Sequence, residues 1–386
     1  MNWPLQEDII KLRDKKKLVK FILKSNRFTQ FKEVRNFEKK YSKWQGCKYS
    51  VFVNSGSSAN LLIIQAAKEI YKWKSDDEII VPAVTWPTTI TPVIQSNIKP
   101  VFVDCNLEDF SFDYEQLKKK ITKKTKAIFV AHIIGFPANI AKIKKIIKNR
   151  NIKIFEDSCE AQGAKFNNKK VGNFGVASSF SFFWGHHMTT IEGGMICTND
   201  KKFYHTCLLK RSHGLARELP KELHKKISEN YPDINFKFLF LNSGFNLRNT
   251  EINAHLGNFQ LPMLNKWINI RNNNYKYFYN ICHKFKKYLV LSNNKGISSF
   301  VFQFIFKSKL LRKKFEEVLK KNKIESRPFI AGNLLKQPFL KNYASKNFIN
   351  ANLLHTNAIY IGNNQFVTFQ RLKKLETILK DFFKFV

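Results

Sequence analysis

Short apolar runs alternate with amphipathic stretches from residue 48 onward. The runs are rich in Val, Ile and Phe and are bounded by Gly, Pro, Asn or Asp, a pattern typical of buried strands. The predicted strands are 50–53, 78–81, 100–104, 127–131 and 153–156. The predicted helices between them are 58–74, 114–120 and 140–148. Strands that alternate with helices predict a doubly wound α/β domain built on a parallel sheet.

The pattern changes after the helix end at Gln260-Leu261-Pro262. Long helical stretches rich in Lys and Asn follow, with a predicted strand at 299–306 and a terminal helix at 372–385. We therefore predict an N-terminal segment and large α/β domain over 1–262, and a smaller C-terminal α+β domain over 263–386. Ligands of doubly wound sheets bind at the carboxyl ends of the strands, so functional residues are expected in the loops that follow strands.

The composition is that of a globular protein. The 386 residues are 44% hydrophobic and 14% aromatic, which is enough for two cores. No apolar stretch approaches the length of a membrane span, and the N-terminus lacks the basic-then-apolar order of a signal peptide, which favours a cytoplasmic protein. The six cysteines form no C-x-C or C-x-x-C pair. Neither a metal site nor a disulfide framework is therefore predicted.

The formal net charge of +38 raises the question of nucleic-acid binding. Only eleven of the 67 basic residues are arginines, and the lysines are spread along the whole chain. No nucleic-acid-binding motif accompanies them. The charge therefore indicates a solvated surface, and no nucleic-acid partner is predicted.

Two loops that follow predicted strands carry candidate binding residues. In loop 54–61, Gly56 permits a sharp turn, and the hydroxyls and backbone amides of Ser57 and Ser58 suit a phosphate at a helix N-terminus. Helix capping alone explains the same residues, and this alternative stays open. In loop 82–89, Trp86 is suited either to the core or to stacking on a flat ring.

The segment 181–194 reads SFFWGHHMTTIEGG. It resembles the S-F-x-x-x-K-x-x-x-x-x-E-G-G run of the pyridoxal-phosphate (PLP) sugar aminotransferases of the DegT/DnrJ/EryC1/StrS family, with His186 where their Schiff-base lysine stands. A histidine cannot make that covalent bond. Within the family, this exchange with a double His marks the 3-dehydratases of nucleotide-linked 4-keto-6-deoxy sugars. Gly193 and Gly194 are expected to form a tight turn at positive φ.

The resemblance implies a fold-type-I PLP protein, similar to aspartate aminotransferase, that acts as a homodimer with shared active sites. The implied cofactor-binding residues are Gly56, Ser57, Ser58 and Ser181 at the phosphate, Trp86 over the ring, Asp157 at the pyridine nitrogen, Glu160 near the ring hydroxyl and Asn246 at the partner's phosphate. A carboxylate at the pyridine nitrogen keeps it protonated, which PLP needs to accept electrons. Taken without the other motifs, Asp157 is an ordinary turn residue after a strand. Glu160 replaces the Gln of the aminotransferases, as in the dehydratase branch.

The resemblance also assigns the chemistry. His186 would face the C4′ carbon of the cofactor, where an imidazole with an ordinary pKa of about 6.5 can pass a proton on and off. His213 matches a second active-site histidine that assists loss of the C3 hydroxyl, and His187 has a structural role. Arg327 would bind the carboxylate of an amino donor. A surface arginine at the domain boundary is the alternative for Arg327.

The implied activity is removal of the C3 hydroxyl from a nucleotide-linked 4-keto-6-deoxyhexose, a step of deoxysugar and polysaccharide biosynthesis. Glutamate would convert PLP to pyridoxamine phosphate (PMP), and the products would be ammonia and a 3,6-dideoxy-4-keto sugar. The expected ligands are thus PLP or PMP, a nucleotide sugar and an amino-acid donor. The positive charge of the chain would help to steer a doubly phosphorylated substrate.

Two other functions stay open: a nucleotide-sugar aminotransferase of the same family, and a non-catalytic PLP-binding paralogue or regulator. The presence of loop 54–61, the candidate phosphate-binding loop, and of both candidate catalytic histidines, His186 and His213, favours catalysis. A related branch uses a [2Fe-2S] cluster, and the absence of a C-x-C pair argues against it. One departure from the family is Gln30, which stands where a glycine usually follows Thr29. The sequence leaves the sugar and the nucleotide undetermined.

Overall fold

The computed structural model describes residues 2–343 and 348–384. Its strands are β1 Tyr49–Val53, β2 Glu78–Pro82, β3 Lys99–Val103, β4 Thr125–Ala131, β5 Lys153–Asp157, β6 Lys165–Phe166, β7 Lys169–Lys170, β8 Ala177–Ser181, β9 Gly194–Thr198, β10 Val301–Ile305, β11 Ser326–Pro328 and β12 Ala358–Gly362. Its α-helices are α1 Leu12–Lys24, α2 Lys32–Gln45, α3 Gly56–Tyr71, α4 Thr91–Gln95, α5 Tyr114–Lys120, α6 Ile140–Ile146, α7 Lys201–Arg211, α8 His224–Glu229, α9 Glu251–Gln260, α10 Leu264–His283, α11 Lys309–Lys321, α12 Ile349–Asn357 and α13 Phe369–Lys384. Short 3₁₀ turns connect several of these elements.

The main sheet has seven strands in the order β1-β9-β8-β5-β4-β2-β3. Strands β3, β2, β4, β5 and β8 run parallel to one another, whereas β9 runs antiparallel to both β1 and β8. The predicted doubly wound α/β sheet is confirmed, and all five predicted strands are present. β8 and β9 were not predicted, because Ser-rich and Gly-led segments lack the β-branched runs on which the prediction depended.

Burial on both faces explains why the parallel strands are nearly continuous apolar runs. Ile79, Ile80 and Val81 of β2 are fully buried, and burying each such side chain contributes about 1.5–3 kcal/mol. Helix α3 packs against β8 and β9 on one face of the sheet. Its N-terminus therefore lies beside the carboxyl end of β8, which is where the site is built.

The C-terminal part has its own antiparallel sheet in the order β10-β12-β11. The predicted strand 299–306 is shortened to β10, and the terminal helix is present as α13, with predicted residue Phe385 outside the described residues. The first residues of the chain pack on this sheet. Trp3 Nε1 donates to the Gly362 carbonyl at 3.0 Å, and the Leu5 amide donates to a Glu325 carboxylate oxygen at 3.0 Å. The division at residue 262 remains a prediction.

None of the described helices combines the length and apolarity that a membrane span needs. Within residues 2–343 and 348–384, no group of three or more His, Cys, Asp and Glu side chains is placed to hold a metal ion.

Candidate active site

A cavity of about 410 Å³ opens at the carboxyl ends of β2, β4, β5 and β8, where doubly wound sheets bind their ligands. The predicted residues that line it are Gly56, Ser57, Trp86, Asp157, Glu160, Ser181, His186 and Arg327. Three predicted residues, Ser58, His213 and Asn246, do not line it. The fold thus brings together side chains that are up to 271 positions apart in the chain, from Gly56 to Arg327.

The N-terminus of α3 forms one end of the cavity. Ser55 caps the helix, since its Oγ accepts from the Ser58 amide at 3.0 Å and donates to the Ser58 hydroxyl at 3.0 Å. Ser58 therefore belongs to the cap, whereas the exposed Ser57 faces the cavity. A Cβ on Gly56 would lie 2.7 Å from the Cβ of Ser181. The glycine lets the helix N-terminus reach Ser181, and the free amides and helix dipole there suit a phosphate.

Segment 181–194, called the cofactor segment below, contains Gly193 and Gly194. These two glycines have a different role from the predicted one. Neither Gly193 nor Gly194 has positive φ; the residue that does is Ile191, with φ 71°. A Cβ on Gly194 would lie 2.1 Å from the Ser55 carbonyl oxygen. The expectation of a positive-φ turn was wrong, because Gly194 is needed for the close approach of β9 to the start of α3.

Asp157 ends β5 with a carboxylate fixed by three donors. Its Oδ2 accepts from Asn60 Nδ2 and Thr89 Oγ1, both at 2.7 Å, and its Oδ1 accepts from the Cys159 amide at 3.1 Å. The side chain is 8% exposed and lines the cavity. Asn60 and Thr89 were missed by sequence reasoning, although both lie in the two loops that it selected. The hydrogen bonds hold a charged acceptor in one orientation at the cavity floor.

Glu160 lines the same cavity as Asp157. Its Oε2 accepts from the Ile134 amide at 2.8 Å. Burial, with a smaller contribution from the Asp157 charge, raises the pKa of Glu160 to about 7. Ile134 has φ 44°, which is uncommon for a β-branched residue, and this conformation points its amide at Glu160. Glu160 is thus able to carry a proton near neutral pH.

Glu160→Gln should make the free energy of unfolding less dependent on pH. A raised pKa means that the folded state holds an extra proton between about 4.3 and about 7, so stability from Glu160 is present at pH 4 and is lost as pH rises through 7. Relative to wild type, Glu160→Gln should therefore gain stability on the order of 2 kcal/mol between pH 5 and pH 8. Urea unfolding of the cofactor-free protein at both pH values measures this. Exposed Glu229→Gln is the control, and identical pH dependence in all three proteins would contradict the assignment.

His186 stands at the centre of the cofactor segment, and its ring is stacked on Phe300 with centroids 5.2 Å apart and planes at 29°. Its Nδ1 has no hydrogen-bond partner among the described residues. Burial, together with the positive charge of Arg271, lowers the pKa of His186 to about 3. The imidazole is therefore neutral at physiological pH, which is the form that accepts a proton.

His187 points away from the cavity, as predicted. The side chain is fully buried, and its Nε2 lies 3.0 Å from the Ser298 hydroxyl and 3.2 Å from the Ser298 carbonyl oxygen. These contacts join the cofactor segment to the loop before β10. They support the structural role that was predicted for His187.

The rim of the cavity is aromatic and basic. Trp86 is 56% exposed in the loop after β2, and Phe183 and Trp184 stand exposed on the cofactor segment. Arg327 lies on β11 with 63% of its side chain exposed, 3.6 Å from a Glu325 carboxylate oxygen. This ion pair is solvent-exposed and weak, so Arg327 is free to exchange partners with an incoming carboxylate.

His213 and Asn246 form an exposed pair outside the cavity. The His213 amide donates to the Phe245 carbonyl at 2.7 Å, and residues 212 and 246 form an antiparallel bridge. The Asn246 Oδ1 accepts from Arg248 Nε at 3.0 Å. His213 has φ 61°, and its side chain faces solvent. Neither side chain lines the cavity of its own chain.

These residues fit PLP. The α3 N-terminus with Ser57 and Ser181 would hold the phosphate, Asp157 the pyridine nitrogen and Trp86 one face of the ring. The cradle made by Gly56 and Ser181 has no room for a larger side chain, and His186 lines the same cavity.

Comparison with known proteins agrees with this geometry. The family model described as "DegT/DnrJ/EryC1/StrS aminotransferase family" matches residues 10–375. The chain belongs to this family. It is 40% identical over 377 residues to the GDP-4-keto-6-deoxy-D-mannose 3-dehydratase of Escherichia coli O55:H7, with 94% of this chain and 96% of the relative covered. The predicted family and fold are confirmed.

Two solved structures are similar over nearly the full length. One is the E. coli GDP-4-keto-6-deoxy-D-mannose-3-dehydratase with bound hydrated PLP, with a TM-score of 0.90, 37% identity and coverage of 98% of this chain and 99% of that chain. The other is a GDP-4-keto-6-deoxymannose-3-dehydratase with a trapped PLP-glutamate geminal diamine, with a TM-score of 0.89, 37% identity and coverage of 98% and 100%.

The family motifs account for only part of the cavity wall. Leu5 and Gln6 line it from the N-terminal segment, Phe300 lines it from the residue before β10, and Tyr360 lines it from β12. These residues carry no motif, and they reach the site through contacts with distant parts of the chain. Sequence reasoning missed them because no local signal marks such contacts.

Proposed function

We propose that the protein catalyses PLP-dependent 3-dehydration of a nucleotide-linked 4-keto-6-deoxyhexose, with GDP-4-keto-6-deoxymannose as the substrate. The predicted enzyme class and cofactor are confirmed by the full-length relatives, whereas the sugar and the nucleotide are the finer part of the proposal. The single observation that carries it is His186. A neutral imidazole stands in the cavity where the aminotransferases of the family have a lysine.

Bound as PMP, the cofactor supplies a primary amine and an electron sink for the carbons next to the sugar ketone. The chain supplies the rest. The N-terminus of α3 would hold the phosphate, and Asp157 would keep a proton at the pyridine nitrogen. His186, a neutral imidazole that lines the cavity, would take a proton beside C4′, and a proton would go to the departing C3 hydroxyl so that it leaves as water. Departure of the C3 hydroxyl is the outcome that this proton transfer allows.

The histidine also explains why elimination replaces amino transfer. A lysine is a flexible primary amine that reaches the sugar carbon and delivers a proton there. The imidazole of His186 is short and is held by its stack on Phe300. Without a reaching proton donor, loss of the C3 hydroxyl is the open path. Arg327, exposed at the rim, would bind the carboxylate of glutamate when the amino group is loaded.

A homodimer with shared sites is part of the proposal. Asn246 and His213 are exposed together and lie outside the cavity of their own chain. This position supports a role in the cavity of a partner subunit, Asn246 at the phosphate and His213 near the departing hydroxyl. The site of each subunit would then need residues from both.

The decisive experiment incubates the protein with PLP, glutamate and a panel of nucleotide-linked 4-keto-6-deoxy sugars, with products identified by mass. We expect ammonia and a 3,6-dideoxy-4-keto sugar. An amino sugar that keeps the C3 oxygen would instead identify an aminotransferase. No product from any member of the panel, with PLP bound, would support the non-catalytic alternative.

The cofactor should be held without a covalent bond to the chain. His186 offers no amine, and the phosphate, ring and nitrogen contacts are sufficient to bind PLP. Borohydride treatment of the PLP-loaded protein, followed by digestion and mass spectrometry, tests this. His186→Lys is the positive control and should give a phosphopyridoxyl-lysine peptide from segment 181–194. The same modification in wild type, at any active-site lysine, would disprove the assignment.

A further inference from the structure

Arg271 lies directly behind the His186 segment. It is on α10, and its side chain is fully buried. One terminal nitrogen donates to the Asn363 carbonyl at 2.6 Å and to the Phe300 carbonyl at 3.4 Å. The other donates to the His186 carbonyl and to the Gln365 side chain, at 3.4 and 3.3 Å. The guanidinium therefore joins the cofactor segment to the two chain segments that flank the C-terminal sheet.

Two of these acceptors belong to residues whose rings are stacked. The backbone carbonyls of His186 and Phe300 accept hydrogen bonds from the two terminal nitrogens of one guanidinium, while the rings of the two residues stack on each other. A planar, rigid donor fixes the separation of the two carbonyls in a way that a lysine ammonium does not. A single side chain therefore contacts both stacked residues from behind the cavity.

The charge of Arg271 is not neutralised by an acid. Among the described residues, none forms an ion pair with it, whereas the buried Lys210 and Arg211 are paired with Glu69 and Glu38. Burial lowers the pKa of Arg271 to about 9, which still leaves it charged at neutral pH. A buried cation without a counter-ion is costly to the folded state, which raises the question of what this charge does.

The charge of Arg271 has an electrostatic effect on the imidazole of His186. After burial itself, the charge of Arg271 is the cause that lowers the pKa of His186, and it acts in the same direction on His187. The other titratable side chains that line the cavity with His186 are His132, Asp157, Cys159, Glu160, Glu192, Arg327 and Tyr360. Of all these charged groups, Arg271 is the one whose charge acts on the pKa of His186.

We propose that Arg271 is the positioning residue for His186: its guanidinium fixes the stack of the imidazole on Phe300 and places a permanent positive charge that favours the neutral ring. The inference rests on the proposed role of His186 as the base. It adds a residue that touches neither substrate nor cofactor but sets the orientation and protonation of the group that does.

Three variants separate charge from geometry. Arg271→Met removes the charge and the fork, Arg271→Lys keeps the charge alone, and Gln365→Leu removes only a neutral acceptor of the same guanidinium. The imidazole pKa of His186 is measured in the cofactor-free protein by NMR with labelled histidine, and its signal is assigned by its loss in His186→Asn. Circular dichroism confirms that each variant is folded.

In Arg271→Met, the pKa of His186 should rise but stay below the ordinary value of about 6.5, because burial, the larger cause of its low pKa, remains. Gln365→Leu should match wild type. In Arg271→Lys the pKa should stay low, but the ring-current shift of the His186 protons from Phe300 should shrink. With PLP loaded, kcat of Arg271→Lys should fall roughly tenfold to a hundredfold at similar KM.

If Arg271→Met folds and its His186 pKa is the same as in wild type, the proposed electrostatic effect of Arg271 on His186 is wrong. If Arg271→Met does not fold, Arg271→Lys tests the proposal instead. A ring-current shift and a kcat in Arg271→Lys that both equal the wild-type values would overturn the positioning role. The titration needs no turnover. A failure of the proposed function, seen as full activity in His186→Asn, is therefore distinct from a failure of this inference.

Discussion

Replacing His186 with Asn should slow 3-dehydration about a hundred- to ten-thousandfold while PLP still binds, because a positioned general base contributes this much. Asparagine is similar in size to histidine but accepts no proton near neutral pH. The rate is measured as release of the 3,6-dideoxy-4-keto sugar, with bound PLP followed by absorbance. Exposed His283→Asn, at the end of α10, is the matched control and should behave as wild type.

Two further variants locate the base. His186→Lys should gain a covalent bond to PLP and lose most 3-deoxygenation, because a lysine can complete amino transfer. Near wild-type dehydration in His186→Asn, with none in His213→Asn, would show that His213 is the base. In that case the neutral imidazole stacked on Phe300 would have only a structural role.

The second large effect concerns the shared site. Asn246→Ala and Asp157→Ala should each be nearly inactive as homodimers, because each loses a cofactor contact in both sites. In a mixed dimer, one cavity combines the intact Asp157 of one subunit with the intact Asn246 of the other. An equimolar, fully re-equilibrated mixture should therefore recover roughly a quarter of wild-type activity, since half of its dimers carry one complete site.

The matched control pairs two residues of the same cavity. Mixtures of Asp157→Ala with Ser181→Ala should recover no activity beyond that of the separate homodimers, because both changes lie in the cavity of their own chain. Equal recovery in both mixtures would point to a trivial effect of mixing. No recovery with Asn246→Ala would mean that this residue does not serve the partner.

The parts of the fold that could be predicted are those with a local cause. β2 and β5 are short apolar runs that end in loops, and Asp157 and Trp86 follow them at the edge where such sheets bind ligands. The start of α3 was recognisable for the same reason, since it needs Gly56 and a capping hydroxyl; its role at a phosphate stays a prediction. The position of His186 could be assigned because the motif around it is uninterrupted.

The features of the fold and the site that could not be predicted depend on contacts between distant segments of the chain. Arg271 is one basic residue among many in a Lys- and Asn-rich stretch, and only packing shows that it is buried behind His186. Phe300 had no distinguishing neighbour, yet it carries the ring on which the imidazole stacks. β8 and β9 were missed because their place in the sheet comes from tertiary burial rather than from a β-branched pattern.

The packing of the N-terminus on the C-terminal sheet has a consequence for the order of events on the ribosome. Trp3 donates to the carbonyl of a residue 359 positions later, and Leu5 and Gln6 beside it line the cavity. At a synthesis rate of about 5–20 residues per second, Trp3 waits roughly 20 to 70 s for its acceptor to be made. Residues 3–6 can thus be placed only after residue 362 has been made. A nascent chain cannot complete the wall of the cavity before that point.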